Sequence, residues 1–306
     1  MNKLKKKIVI FLGYQCNNNC VFCMNADKRN LKPKSKEIVF HEIYRASKEK
    51  IDILELIGGE TTIRSDFLEI ISFAKKLGIK EVIIATNGRM FSDKRFAENT
   101  IKAGLDSVIF SIHGHNAKIH DLLTQAQGSF DEMRRGLKNF IDLGFKSING
   151  NTTVVKQNMK YIPDIARFHV KNMIKNVEYI FVDPNYGGAF NRFEECVPKI
   201  SEAAVYMKKA IDIGKKAGYE QWKVRYVPLC YFTDYLDHIS EINERKLFFV
   251  KHWAPDFKNE DVLNSRVVAG RQKTDRCAGC KLYKLCEGIW VEYLKRYGDS
   301  ELKAVR

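Results

Sequence analysis

Along this chain, short runs of β-branched and aliphatic residues alternate with stretches in which apolar positions recur every three or four residues. Residues 7–12, 51–57, 81–85, 107–111, 146–155 and 177–182 read as six strands. Strands separated by helical patterns predict parallel βαβ units. Over 65–77, Phe67, Ile70, Ile71, Ala74 and Leu77 share one helical face, with Ser65 expected as N-cap and Gly78 as the stop. Ser129 followed by Glu132 has the form of a capping box ahead of the stripe Met133, Leu137, Phe140 and Ile141. A third helix is expected from Ser201, with Met207, Ala210 and Ile211 on one face and Gly218 beyond its end. After about Gly188 the alternation breaks down into that helix, a possible strand over 222–227 and a loop-rich, cysteine-bearing segment. The expected division is therefore a core at 1–188 and a smaller unit at 189–306. No Gly/Ser linker separates them, which predicts close packing.

With 45% hydrophobic and 29% charged residues in 306, the composition is that of a folded protein with a sizeable core. The longest apolar runs are strand-sized, well short of the roughly 20 residues that span a bilayer. No secretory signal is recognisable, so the expected location is cytoplasmic. Eight cysteines in a reducing compartment point to metal or redox chemistry before disulfides. The net charge of +15 favours an anionic partner without naming one, and a lysine-rich solvated surface explains it equally.

Chemistry concentrates after the first strand, where Cys16, Cys20 and Cys23 form C-x3-C-x2-C in a loop with Asn17, Asn18 and Asn19. Three local thiolates on a four-iron cluster leave one iron open to another ligand. Taken alone, the same triad also suits zinc completed by a distant His or Cys. The next three strands end in Gly58-Gly59-Glu60, Thr86-Asn87-Gly88 and Ser111-Ile112-His113-Gly114. Ligands of parallel α/β folds bind at that carboxyl edge. Glycine permits close backbone approach, and Glu60 offers a hydrogen-bond acceptor for an ammonium group.

Together these residues resemble the radical S-adenosylmethionine (SAM) superfamily over roughly residues 7–184, with Phe22 as the aromatic residue before the third cysteine. The resemblance implies an α/β fold, a partial (β/α)6 TIM-like barrel, with a smaller, loop-rich C-terminal cluster-binding domain. It further implies a [4Fe–4S] cluster on Cys16, Cys20 and Cys23, with SAM chelating the open iron. By motif, Phe22, Gly58, Gly59, Glu60 and Asn87 belong to the cofactor site, with Glu60 on the SAM amino group and Ser111 on its carboxylate or ribose. Asn151 and Thr153 on the fifth strand are further candidates. Thr61 departs from the proline that many members carry after Gly-Gly-Glu. The implied chemistry is reductive cleavage of SAM to a 5′-deoxyadenosyl radical that abstracts a substrate hydrogen, fed by a donor such as flavodoxin or ferredoxin.

Cys277, Cys280 and Cys286 form C-x2-C-x5-C, with Cys230 upstream. The spacing resembles part of SPASM or twitch extensions and implies a second, auxiliary [4Fe–4S] cluster. Zinc suits the same four thiols. Cys196, His252 or an open position rival Cys230 as the fourth ligand, and Cys196 otherwise reads as a packed thiol. His113, two residues after Ser111, is expected to face the same cavity, and Tyr186, Gly187 and Gly188 either line the barrel mouth or form a plain turn. The leading expectation for the substrate is a peptide or protein, by analogy with ribosomal-peptide maturases. The alternative is small-molecule or cofactor biosynthesis. Nucleic-acid modification and a non-enzymatic zinc protein rank lower, because no RNA-binding motif accompanies the charge and a zinc protein leaves the strand-tip motifs unexplained.

Overall fold

The computed structural model describes residues 4–306. All six expected strands form, as β1 (Lys5–Phe11), β2 (Ile53–Ile57), β3 (Glu81–Thr86), β4 (Ser107–Ser111), β5 (Ile148–Val154) and β6 (Asn176–Phe181). They lie in sequence order and each pairs in parallel with the next. Helices cross between them, as a parallel connection requires. This is the α/β arrangement of a partial TIM-like barrel.

Burial alternates along the strands with a period of two. Val82, Ile84, Val108, Phe110, Val177, Tyr179 and Phe181 are buried in one core beneath helical residues such as Ile43, Ile70, Leu137 and Ile165. Their neighbours Ile83, Ala85, Ile109, Ser111, Asn149, Asn151, Thr153, Glu178 and Ile180 are only half-buried and line the inner face. A parallel sheet buried on both faces by helices would read as continuous apolar strands. Here the polar positions on β4 to β6 mark a hollow interior instead.

Residues beyond Gly188 contribute to the same sheet. β7 (Lys223–Arg225) pairs in parallel with β6, and β8 (Phe248–Trp253) in parallel with β1. β9 (Lys258–Asn259) closes that edge antiparallel to β8. Hydrogen bonding therefore crosses the division expected after 188. The C-terminal part is also more helical than its sequence suggested, with helices Ser240–Leu247, Val262–Gly270 and Val291–Tyr297 besides Ile200–Lys216. β10 (Arg271–Gln272) and β11 (Ile289–Trp290) form a separate antiparallel pair.

Two expected caps differ. The helix Phe67–Lys76 starts after Asp66, whose carboxylate is held by Arg64 at 2.7–2.8 Å. Ser129 opens its helix as the first turn behind Gly128, and Asp121 serves as the acceptor for the amides of Gly128 and Phe130. Glu132, freed from a capping role, pairs with Arg89.

Candidate functional site

The site is built where β1 and β2 run out. Past their last strand residues, Gly59 donates to the Gly13 carbonyl at 2.9 Å and Glu60 to the Gln15 carbonyl at 2.8 Å. A Cβ on Gly58 would lie 2.1 Å from Gly13 O, and one on Gly59 2.0 Å from Gln15 O. Gly58 also has φ +142°, closed to L side chains. The Gly-Gly pair is thus required by close packing against the chain that leads into Cys16. The backbone it admits is the protein's own.

The cysteine loop is held on three further sides. Asn19 and Val21 donate to the carbonyls of Thr124 and Leu123 at 2.8 and 3.0 Å. Gly188 donates to Cys23 O at 2.8 Å, and a Cβ at Gly188 would sit 2.3 Å from Val21 O. The Tyr186-Gly187-Gly188 turn after β6 therefore packs directly on the loop. Arg89 donates to Asn17 O and to Asn18 Oδ1, and Arg29 donates to Asn18 O at 2.6 Å. Sequence reasoning missed both arginines. The only sequence signal for Arg89 was its place directly after Thr86-Asn87-Gly88.

The three thiols are half-buried and lie within electrostatic reach of one another and of Arg29. Burial pushes the Cys16 and Cys20 thiols up, and the neighbouring sulfurs add to the rise at Cys20. Cys16 Sγ accepts from Asn18 N at 3.4 Å and faces Asn87 Nδ2 at 3.9 Å. Asn87 also donates to Asn17 Oδ1 at 2.6 Å, so the β3 tip reaches the cysteine loop.

Glu60 is placed differently from the expectation of a free acceptor. It is 3% exposed, and its carboxylate accepts from Thr62 N (3.1 Å), Thr62 Oγ1 (2.6 Å), Thr86 Oγ1 (2.8 Å) and Asn87 N (2.7 Å). Burial raises its pKa, against donors that pull it back. The side chain ties the β2 tip to the β3 tip. Ser111, Asn151 and Thr153 have side chains that make no hydrogen bond among the described residues, and Ser111 pairs in register with Asn151 across β4 and β5. These polar groups of the inner wall are open to a ligand. Phe22 packs edge-on to His113 at 4.8 Å. His113 itself is buried and accepts from Thr153 N at 3.3 Å, and burial lowers its pKa to about 3. It sits in the wall between Phe22 and His120.

Residues 10–169, just over half of the chain, match the Radical SAM superfamily. The chain belongs to the radical SAM superfamily. A probable GTP 3',8-cyclase of Saccharolobus solfataricus is 26% identical over 277 residues, covering 90% of this chain and 78% of that protein. The structure of Streptococcus suis SuiB bound to S-adenosylmethionine superposes with a TM-score of 0.68 at 19% identity, over 95% of this chain and 74% of that one. Native anSMEcpe with bound AdoMet and a peptide gives 0.67 at 16% identity, over 98% and 93%. These two structural likenesses show the fold.

Membership implies a [4Fe–4S] cluster and SAM, and this radical SAM enzyme has residues that fit them: three clustered thiols beside a cation, and unpartnered polar groups on the adjoining inner wall. The C-terminal cysteines fit an auxiliary cluster. Cys230, Cys277, Cys280 and Cys286 line a single cavity with Leu229 and Leu302. Cys286 Sγ accepts from the amides of Leu229 and Gly288 at 3.4 and 3.3 Å, and Cys280 Sγ from Val305 N at 3.3 Å. The rivals for fourth ligand lie elsewhere. Cys196 is fully buried with its sulfur 3.8 Å from Val21 O, and His252 packs on Phe11 at 5.6 Å. Among the described residues, no three His, Cys, Asp or Glu side chains are gathered tightly enough to hold a single metal ion. No helix among them is long and apolar enough to cross a membrane.

Proposed function

We propose that this radical SAM enzyme holds its [4Fe–4S] cluster on Cys16, Cys20 and Cys23 and acts on a small molecule carrying phosphate, seated in the barrel mouth. When bound, the cluster and SAM supply a 5′-deoxyadenosyl radical able to abstract a substrate hydrogen. The chain's own residues bind, orient and shield. Ser111, Asn151 and Thr153 offer hydrogen bonds to SAM from the inner wall, while Glu60 and Asn87 set the cysteine loop against the strand tips. The thiols of Cys230, Cys277, Cys280 and Cys286 hold an auxiliary four-iron cluster with no open iron.

The observation that carries the small-molecule reading is the 26% identity to a probable GTP 3',8-cyclase along 90% of the chain. The peptide reading rests on fold alone, through a peptide-bound relative at 16% identity. The test is anaerobic reduction of the iron-loaded protein with dithionite. Slow formation of 5′-deoxyadenosine and methionine is expected from wild type and none from Cys20→Ala. Equal yield from both would overturn the assignment. Faster 5′-deoxyadenosine formation with GTP than with peptide mixtures supports the small-molecule reading, and the reverse supports peptide maturation.

A further inference from the structure

A buried arginine beyond the cysteine loop has the carboxylates of Asp183, Glu241 and Glu287 within electrostatic reach but touches none of them. Arg271, at the start of β10, is 4% exposed and forms no ion pair among the described residues. Its Nη2 donates to Gly288 O at 2.6 Å, while its Nε and Nη1 are buried and unpartnered. The neighbouring guanidiniums are fully matched: Arg225 by Glu178 and Glu244, Arg266 by Glu244 and Glu287. Buried N–H groups left without acceptors cost free energy, so the two that persist on Arg271 have capacity for an occupant.

Three further observations converge on the same place. Trp290, 3% exposed, lies under the Arg271 guanidinium at 4.6 Å, and its indole N–H is likewise buried and unpartnered. Tyr226 stacks edge-on to Trp290 at 4.7 Å, ringed by Arg225, Arg266 and Arg271 at 5.5–5.8 Å. Its backbone is held at φ +65°, in the left-handed region, by the Glu241 carboxylate accepting its N–H at 2.6 Å. Such strain persists only where surrounding structure enforces it, and it gathers at ligand sites.

The position suits a substrate. Tyr226 directly follows β7, and Asn185, four residues after β6, donates to Gly270 O at 3.2 Å. The turn Tyr186-Gly187-Gly188 begins at the next residue and packs on the Cys23 carbonyl. On the other side, Gly288, which accepts from Arg271, donates to Cys286 Sγ. The site thus lies between the two cysteine sites, at the carboxyl ends of β6 and β7. The unpartnered donors are three, Arg271 Nε and Nη1 and Trp290 Nε1, against the unpartnered Glu241 Oε2, with the carboxylates of Asp183 and Glu287 also within electrostatic reach of Arg271.

We propose that Arg271 and Trp290, with Tyr226 as a strained wall, form the subsite that receives an oxyanion of the substrate, a phosphate or carboxylate group. This deepens, and rests on, the reading of a small-molecule substrate in the barrel mouth. The free Nε–H and Nη1–H point from opposite edges of the guanidinium, so each can give one charge-assisted hydrogen bond to such an oxygen. The indole N–H adds a third donor from the side.

The test uses the iron-loaded protein without reductant, titrated at constant ionic strength with inorganic triphosphate and, separately, citrate. Wild type is expected to bind at least one of them saturably, with a rise in melting temperature. Arg271→Met, which removes the guanidinium donors, should bind about tenfold more weakly than wild type or worse. Trp290→Phe keeps the ring, removes one donor, and should weaken binding several-fold. It decides the matter if Arg271→Met does not fold. Triphosphate binding alone identifies phosphate as the group received, and citrate binding alone identifies carboxylate. Wild-type affinity in both variants, or no binding of either anion by wild type, overturns the proposal. SAM cleavage without substrate is read separately, so a protein that cleaves SAM but binds neither anion rejects this subsite and not the radical reading.

Discussion

Replacing Glu60 separates two roles that its motif alone confounds. The carboxylate accepts four hydrogen bonds, two from the hydroxyls of Thr62 and Thr86 and two from the amides of Thr62 and Asn87. In Glu60→Ala the hydroxyls can rotate toward other acceptors. The amides cannot, because the backbone fixes them. At about 1–3 kcal/mol for each buried donor left unmade, the two amides alone predict a stability loss of roughly 2–6 kcal/mol. Glu60→Gln keeps the shape and one oxygen but turns an amide group toward existing donors, for an intermediate loss of about 1–2 kcal/mol. Urea unfolding of the anaerobic, cluster-free protein measures both. Because Asn87 also bonds Asn17 and faces Cys16, iron retention should fall in the same order as stability. A Glu60→Ala protein that unfolds at the wild-type midpoint, keeps its iron and loses only SAM affinity would refute this role and return Glu60 to direct contact with SAM.

Gly188→Ala should displace the cysteine loop, since its Cβ would stand 2.3 Å from Val21 O; iron per chain should drop at the first site, whereas Gly78→Ala, with open space around it, should cost only about 1 kcal/mol in a urea melt. The reconstituted protein should hold roughly eight irons, about half of which survive replacement of Cys16, Cys20 and Cys23 by Ala. Stoichiometric zinc without iron-dependent absorbance would reject that count. Replacing Cys277 and Cys280 should harm folding or product formation more than SAM binding, measured by equilibrium dialysis. Burial holds His120 and His169 down to pKa values of about 4 and 3. The unfolded chain therefore takes up protons below about pH 6.5 that the native state refuses, and stability should fall as pH drops from 6.5 toward 4, by about 2 kcal/mol per histidine at pH 5. His169→Phe should flatten that slope in denaturant melts at pH 7 and 5, and an unchanged slope would exclude the histidine as its source.

The sequence by itself determined what is local. Six strands, the helices opening near Phe67, Ser129 and Ile200, and the cysteine triad at the end of β1 follow from spacings of two, three and four residues, which the backbone geometry of strand and helix converts directly into faces. The order of polar tips at the strand ends followed too, because parallel connections bring successive carboxyl ends to one edge. Tertiary structure decided every question of partnership. Glu60 meets Thr86 and Asn87 from a neighbouring strand tip, Ser129 yields its cap to Asp121, and Cys230 lines a cavity with cysteines almost fifty residues downstream. β7, expected as a possible strand but not placed, pairs with β6, the unexpected β8 pairs with β1, and Arg271 touches no carboxylate while its neighbours form ion pairs. Periodicity records which side of an element is buried. A buried polar group is satisfied by whatever the fold brings within about 3 Å of it, and that distance is set by packing among segments far apart in the chain.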